Sequence, residues 1–113
     1  MDRRRVHVQA NSGLLRRALE LFLAESLGES VDVVDDSAFR AGRADILITV
    51  DSSCPPAACA ELARLAPSVI VLAAIPRPAD EARYRAAGAV AYLPMEVSAS
   101  SLLVAATGMP AGA

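Results

Sequence analysis

An α/β fold built on a parallel sheet is what this sequence predicts, and three observations carry the prediction. Five short runs rich in β-branched and aliphatic residues are spaced along 113 residues. Segments with helical periodicity lie between most of them. Two central runs, "DILITV" (45–50) and "SVIVLAA" (68–74), are apolar on both sides, as strands are when helices cover the sheet above and below.

In chain order, the first strand is "RVHVQA" (5–10). The following "SGLLRRALELFLAES" places Leu15, Ala18, Leu19, Phe22 and Leu23 at helical spacing, with arginines and glutamates on other faces. Asn11 or Ser12 can accept its free N–H groups, and Gly28 ends it. "VDVV" (31–34) is the second strand. Only "DDSAFRAGRA" (35–44) joins it to the third, room for about one helical turn where a parallel crossover usually takes a dozen residues or more. The second helix is therefore expected to be shortened or missing. "PPAACAELARLA" opens with prolines, which a first helical turn tolerates. After the fourth strand, "PADEARYRAAG" is a helix ended by Gly88. "AVAYL" (89–93) is the fifth strand, and "SASSLLVAATG" a last helix capped by Ser98 and closed by Gly108. Residues 1–108 form one domain, and 109–113 ("MPAGA") the start of a linker or tail.

Composition narrows the function. Apolar residues are 54% and aromatics 4%, so the core is aliphatic and alanine-rich rather than disordered. The formal charge of −2 announces neither a nucleic-acid nor a membrane surface. All 11 basic residues are arginine, a bias associated with GC-rich bacteria such as actinobacteria. The N-terminus lacks a sustained apolar region, and "VIVLAAI" (69–75) is too short to span a bilayer, so a cytoplasmic protein without membrane contact is expected. Cys54 and Cys59 have no companion ligands nearby and read as two reduced, packed thiols. His7 reads as a packed or edge histidine, and Asp35–Asp36 as turn formers opening the short crossover. Arg83, Tyr84 and Arg85 read as a solvated helix face. Arg3 to Arg5 belong to a solubilising arm, and no recognition helix fits within the chain.

Three stretches, "GLLRRALELFLAE", "RAAGAVAYLPM" and "SASSLLVAA", resemble the receiver domain of bacterial response regulators, especially the NarL/FixJ/LuxR-type subfamily. The resemblance implies a CheY-like (flavodoxin-like) doubly wound sheet of order 2-1-3-4-5. It also implies a phosphoacceptor aspartate after strand three, a magnesium ion held by an acidic pair, a hydroxyl and a lysine. Carried over, the acidic pair falls on Ala10 and Asn11, the hydroxyl on Ala73 and the lysine on Met95. The switch aromatic is retained as Tyr92. Counting from Asp45 puts Val50 at the acceptor position and Asp51 one residue late, which on a strand means the opposite face unless a bulge intervenes. Each missing electrostatic group costs on the order of 3 kcal/mol of transition-state stabilisation.

The sequence thus implies an atypical receiver without catalysis, resident metal or cofactor: a phosphorylation-independent dimerisation or partner-binding input module of a transcription regulator. DNA would be reached only through a C-terminal domain outside this chain. The apolar run Leu102, Leu103, Val104 and Ala106 in the last helix is the expected homodimer face. Two other readings stand beside this one. A crevice lined by Ala10, Asn11, Val50, Ala73 and Met95 would take a small-molecule ligand, or Asp51 would act as a phosphoacceptor.

Overall fold

The structure, a computed structural model, describes residues 4–96. Its elements are β1 (Arg4–Gln9), α1 (Gly13–Leu27), a 3-10 turn (Gly28–Ser30), β2 (Val31–Val33), α2 (Asp36–Arg40), β3 (Ile46–Val50), α3 (Pro56–Leu62), β4 (Ser68–Ala73), α4 (Pro78–Ala86) and β5 (Ala91–Pro94). All strand pairs are parallel and the sheet order is β2-β1-β3-β4-β5. The expected α/β fold with that order is the observed one. The last helix, with Leu102, Leu103, Val104 and Ala106, lies outside the described residues. None of the described helices is long and apolar enough to cross a membrane.

The helix ends follow the residues that suit them. The Ser12 hydroxyl accepts from the Leu15 N–H at 3.3 Å, and Gly28, at φ 48°, returns its N–H to the Ala24 carbonyl. The second crossover keeps a helix, α2, of five residues. Asp35 caps it by accepting from the Ala38 N–H at 2.8 Å, so the Asp35–Asp36 pair opens the crossover as read from sequence. Prolines start α3 and α4. Gly88 sits at φ 109°, where a side chain would be strained, and its missing Cβ leaves room for Ala63 at 3.0 Å.

The core has two layers, one on each face of the sheet. On one face, Leu47, Val69, Val71 and Tyr92 pack against Phe39 of α2, Cys59 and Leu62 of α3 and Tyr84 of α4. On the other, Val6, Val8, Ile48, Val50, Ile70 and Leu72 pack with Leu23 of α1, and Leu15, Leu19 and Phe22 lean against them. Removing each such side chain from water stabilises the fold by about 1.5–3 kcal/mol. Ala18, expected on the inner side of α1, is instead exposed. His7 is buried as a packed histidine: it stacks on Phe39 with centroids 4.9 Å apart, and its Nδ1 lies 2.9 Å from the Val34 carbonyl.

Candidate functional site

In an open parallel sheet, ligands gather beyond the carboxyl ends of the strands, where the strand order reverses. Here that edge is assembled from β1, β3, β4 and β5. Gln9 is paired with Thr49, so Ala10 and Asn11 leave β1 alongside Val50 and Asp51. Ala73 is paired with Pro94, and the Met95 N–H donates to the Ala73 carbonyl at 3.0 Å. The positions assigned from sequence thus fall along one edge of the sheet.

Their side chains do not form one lining. The β3 ladder is unbroken from Ile46 to Val50, and the Asp51 N–H continues it by donating to Leu72 at 2.9 Å. No bulge shifts Asp51 into the place of Val50. Val50 is completely buried among Val6, Val8 and Leu72, and Ala73 is completely buried on the opposite face. A crevice lined by both Val50 and Ala73, expected from sequence, therefore does not form. Each strand's alternating pleat sends them inward on opposite sides. Asp51 is half-buried and is the first residue beyond the strand.

The chain holds this edge with its own hydrogen bonds. The Asn11 N–H donates to the Ser53 hydroxyl at 2.7 Å, and its side-chain amide to the Ser52 carbonyl at 3.5 Å. Tyr84, from α4, donates its hydroxyl to the Cys54 carbonyl at 2.7 Å, with the Asp51 carbonyl 3.4 Å away. Tyr84 stacks on Tyr92 with centroids 5.5 Å apart, and the Tyr92 hydroxyl accepts from the Arg77 N–H at 3.2 Å. Tyr92 is therefore buried and tied to the start of α4. Reading Tyr84 with Arg83 and Arg85 on a solvated face is corrected: it is only 4% exposed and points into the sheet. The arginines do stay outside, paired with Asp80 and Glu81 at 3.8 and 3.1 Å.

Burial sets the titration of this region. It pushes Tyr84 up to about 12, helped by the Asp51 carboxylate. It pushes Cys54 up to about 11, with Cys59 beside it, and raises Cys59 as well. Both thiols are free and buried, so they remain protonated packing groups at neutral pH.

Magnesium is usually held by one or two carboxylates together with phosphate and water. The Asp51 carboxylate, one residue past Val50, and the Asn11 amide are the polar side chains that β3 and β1 bring to this edge, and the Asn11 nitrogen is already engaged. Among the described residues, no three of His, Cys, Asp and Glu converge as a metal-holding group. This donor set fits magnesium poorly. Ser52, Ser53 and Tyr84 were the residues not singled out from sequence for this edge. No helical apolar period in α4 marks Tyr84, which stands between two arginines as the helix's one buried residue.

No family model matches the chain, and no curated protein matches it in sequence. Solved structures do match its fold. It is similar to the signal receiver domain of the putative response regulator NarL from Mycobacterium tuberculosis, with a TM-score of 0.75 and 18% identity over 96% of this chain and 99% of that one. A response regulator from Thermotoga maritima gives 0.72 and 20%, over 95% and 97%. A putative pilus assembly protein, CpaE, from Burkholderia thailandensis gives 0.74 and 16%, over 92% and 98%. The chain has the receiver fold that these proteins share.

Proposed function

We propose that this chain is a regulatory module that keeps the receiver fold and has exchanged phosphoryl chemistry for a fixed carboxyl edge. It works in the manner of NarL/FixJ-type input domains, through association. The observation that carries this reading is the hydrogen bonding of the edge itself. Asn11 is committed to Ser52 and Ser53, and Tyr84 clamps the backbone beside Asp51. In a phosphate-driven switch, new charge on the acceptor reorganises this edge; here the chain's own groups already bridge it. The sequence contributes a second support, because no lysine exists to neutralise the transferred phosphoryl oxygens.

Association is assigned to the last helix through Leu102, Leu103, Val104 and Ala106, giving a homodimer that acts on DNA through a domain outside this chain. The test of phosphorylation independence is incubation with acetyl phosphate and magnesium, followed by intact-mass measurement. No adduct is expected. A phosphoryl adduct lost in Asp51→Asn would overturn the reading. For the helix, sedimentation of wild type against Val104→Glu is expected to separate dimer from monomer.

A further inference from the structure

The charges on the described helices fall into two groups. On α2 and α4 they are paired within the helix: Asp36 with Arg40, Asp80 with Arg83, and Glu81 with Arg85. On α1, Arg16, Arg17, Glu20 and Glu25 form no ion pair among the described residues. Two of them, Arg17 and Glu25, flank an exposed apolar strip. Leu14 is 84% and Leu21 46% exposed, and Ala18 and Ala24 are exposed between and beside them. At about 100° per residue, all six lie within about 60° of Leu21, on one face of the helix. Beside Leu21 and Ala24, a groove of about 330 Å³ carries the apolar surface on to Val33 and Val34 at the sheet's β2 edge.

This face is complementary to itself. Arg17 lies four residues before Leu21 and Glu25 four after, about 6 Å to either side along the axis. An antiparallel copy related by a two-fold axis at Leu21 brings Arg17 of one chain level with Glu25 of the other, twice. Leu21 then meets Leu21, and the small Ala18 and Ala24 let the helices approach. Leu14 falls opposite Gly28, which has no side chain. The isologous arrangement thus pairs the two charges, Leu21 and the two alanines with positions of the same face.

We propose that the outer face of α1 is a self-association surface, on which a second copy of this chain packs antiparallel about Leu21. This rests on the reading of the chain as an association module but uses a different surface from the last helix. One helix face offers less than the roughly 800 Å² per partner of a standard stable interface. The contact is therefore weak, concentration-dependent and reduced by salt.

The test is charge reversal, read by sedimentation velocity over a concentration series at low salt. Arg17→Glu and Glu25→Arg should each weaken association about tenfold, because each places like charges at both symmetric contacts. The double variant R17E/E25R should recover the wild-type curve. A mixture of the two single variants should form heterodimers, since each chain then supplies the charge that the other lacks. All these positions are exposed, so circular dichroism should show an unchanged fold. Unchanged association in both single variants, with Val104→Glu alone producing monomers, overturns the α1 surface and leaves the last-helix reading standing. Monomers throughout the wild-type series overturn both.

Discussion

On the face covered by α2, α3 and α4, helices of five, seven and nine residues each sink at least one large side chain or thiol completely: Phe39, Cys59 with Leu62, and Tyr84. On the opposite face, α1 runs for fifteen residues and has Leu23 as its one fully buried residue, while Leu14 and Leu21 face water. Helix length and commitment to the core are thus separate quantities. The short helices are held by anchors that reach the sheet, and the charges of α2 and α4 are paired within each helix. α1 forms because it is capped and amphipathic, and its outer side is surplus to folding. Surface of that kind is available to a partner at no cost to the fold.

The strongest way to break this contrast is to remove an anchor. Phe39 is completely buried and joins α2 to β1 through its stack on His7. Phe39→Ala should destabilise the domain by about 3–5 kcal/mol, since a five-residue helix cannot collapse far into the cavity left behind. Urea unfolding followed by circular dichroism measures it. A loss below about 1 kcal/mol would mean that α2 is not anchored through Phe39.

Alkaline pH probes the same face without mutation. Burial raises Tyr84 from 10.0 to about 12 and Cys54 from 9.0 to about 11. Between pH 9 and 12 the unfolded chain releases protons that the folded chain retains, so stability is full below pH 9 and falls as pH rises. Each group contributes a slope of at most about 1.4 kcal/mol per pH unit. The urea midpoint should therefore drop from pH 8 to pH 11, and Cys54→Ala should flatten that drop. A pH-independent midpoint would show that the thiol and phenol reach water readily.

Tyr84→Phe isolates the clamp from the packing. It keeps the ring against Tyr92 and removes the donor to the Cys54 carbonyl, leaving that oxygen without its partner. A loss of about 1–2 kcal/mol is expected. Amide exchange should accelerate at Ser53 and Cys54 more than in β4. Uniform acceleration would make Tyr84 a general core residue rather than a tether of the carboxyl edge.

Much of this was legible in the residues, because strands and helices write their periods directly. "DILITV" and "SVIVLAA" carry apolar residues on both sides since both faces are covered, and β3 and β4 are interior strands of the sheet. Ser12 and Gly28 announced the caps of α1 through chemistry that few other residues supply. The carboxyl edge was less legible. Its hydrogen bonds join residues 15 to 42 positions apart, such as Asn11 with Ser53 and Tyr84 with Cys54, and no local pattern encodes such pairs. Tyr84 also sits between two arginines on a helix of low overall apolarity. A single inward position in nine residues gives too little periodicity to reveal itself. Ala18 erred the other way, because alanine suits either side of a helix and its spacing carries no direction.

The smallest expected effect is the sharpest test of the opposite face. Leu14 is 84% exposed in the first turn of α1, so almost none of its surface leaves water on folding. Leu14→Gln keeps a good helix former and removes an apolar group that the core does not use. Stability should change by less than about 0.5 kcal/mol, measured by urea unfolding at protein concentrations low enough to keep the chain monomeric. At higher concentrations the same variant should lose part of the wild type's self-association, because Leu14 lies on the strip centred on Leu21. A loss above about 1 kcal/mol in the monomer would mean that the first turn of α1 is buried by another part of the chain. The two faces would then be closed in the same way, and the surplus surface on α1 would disappear with the contrast.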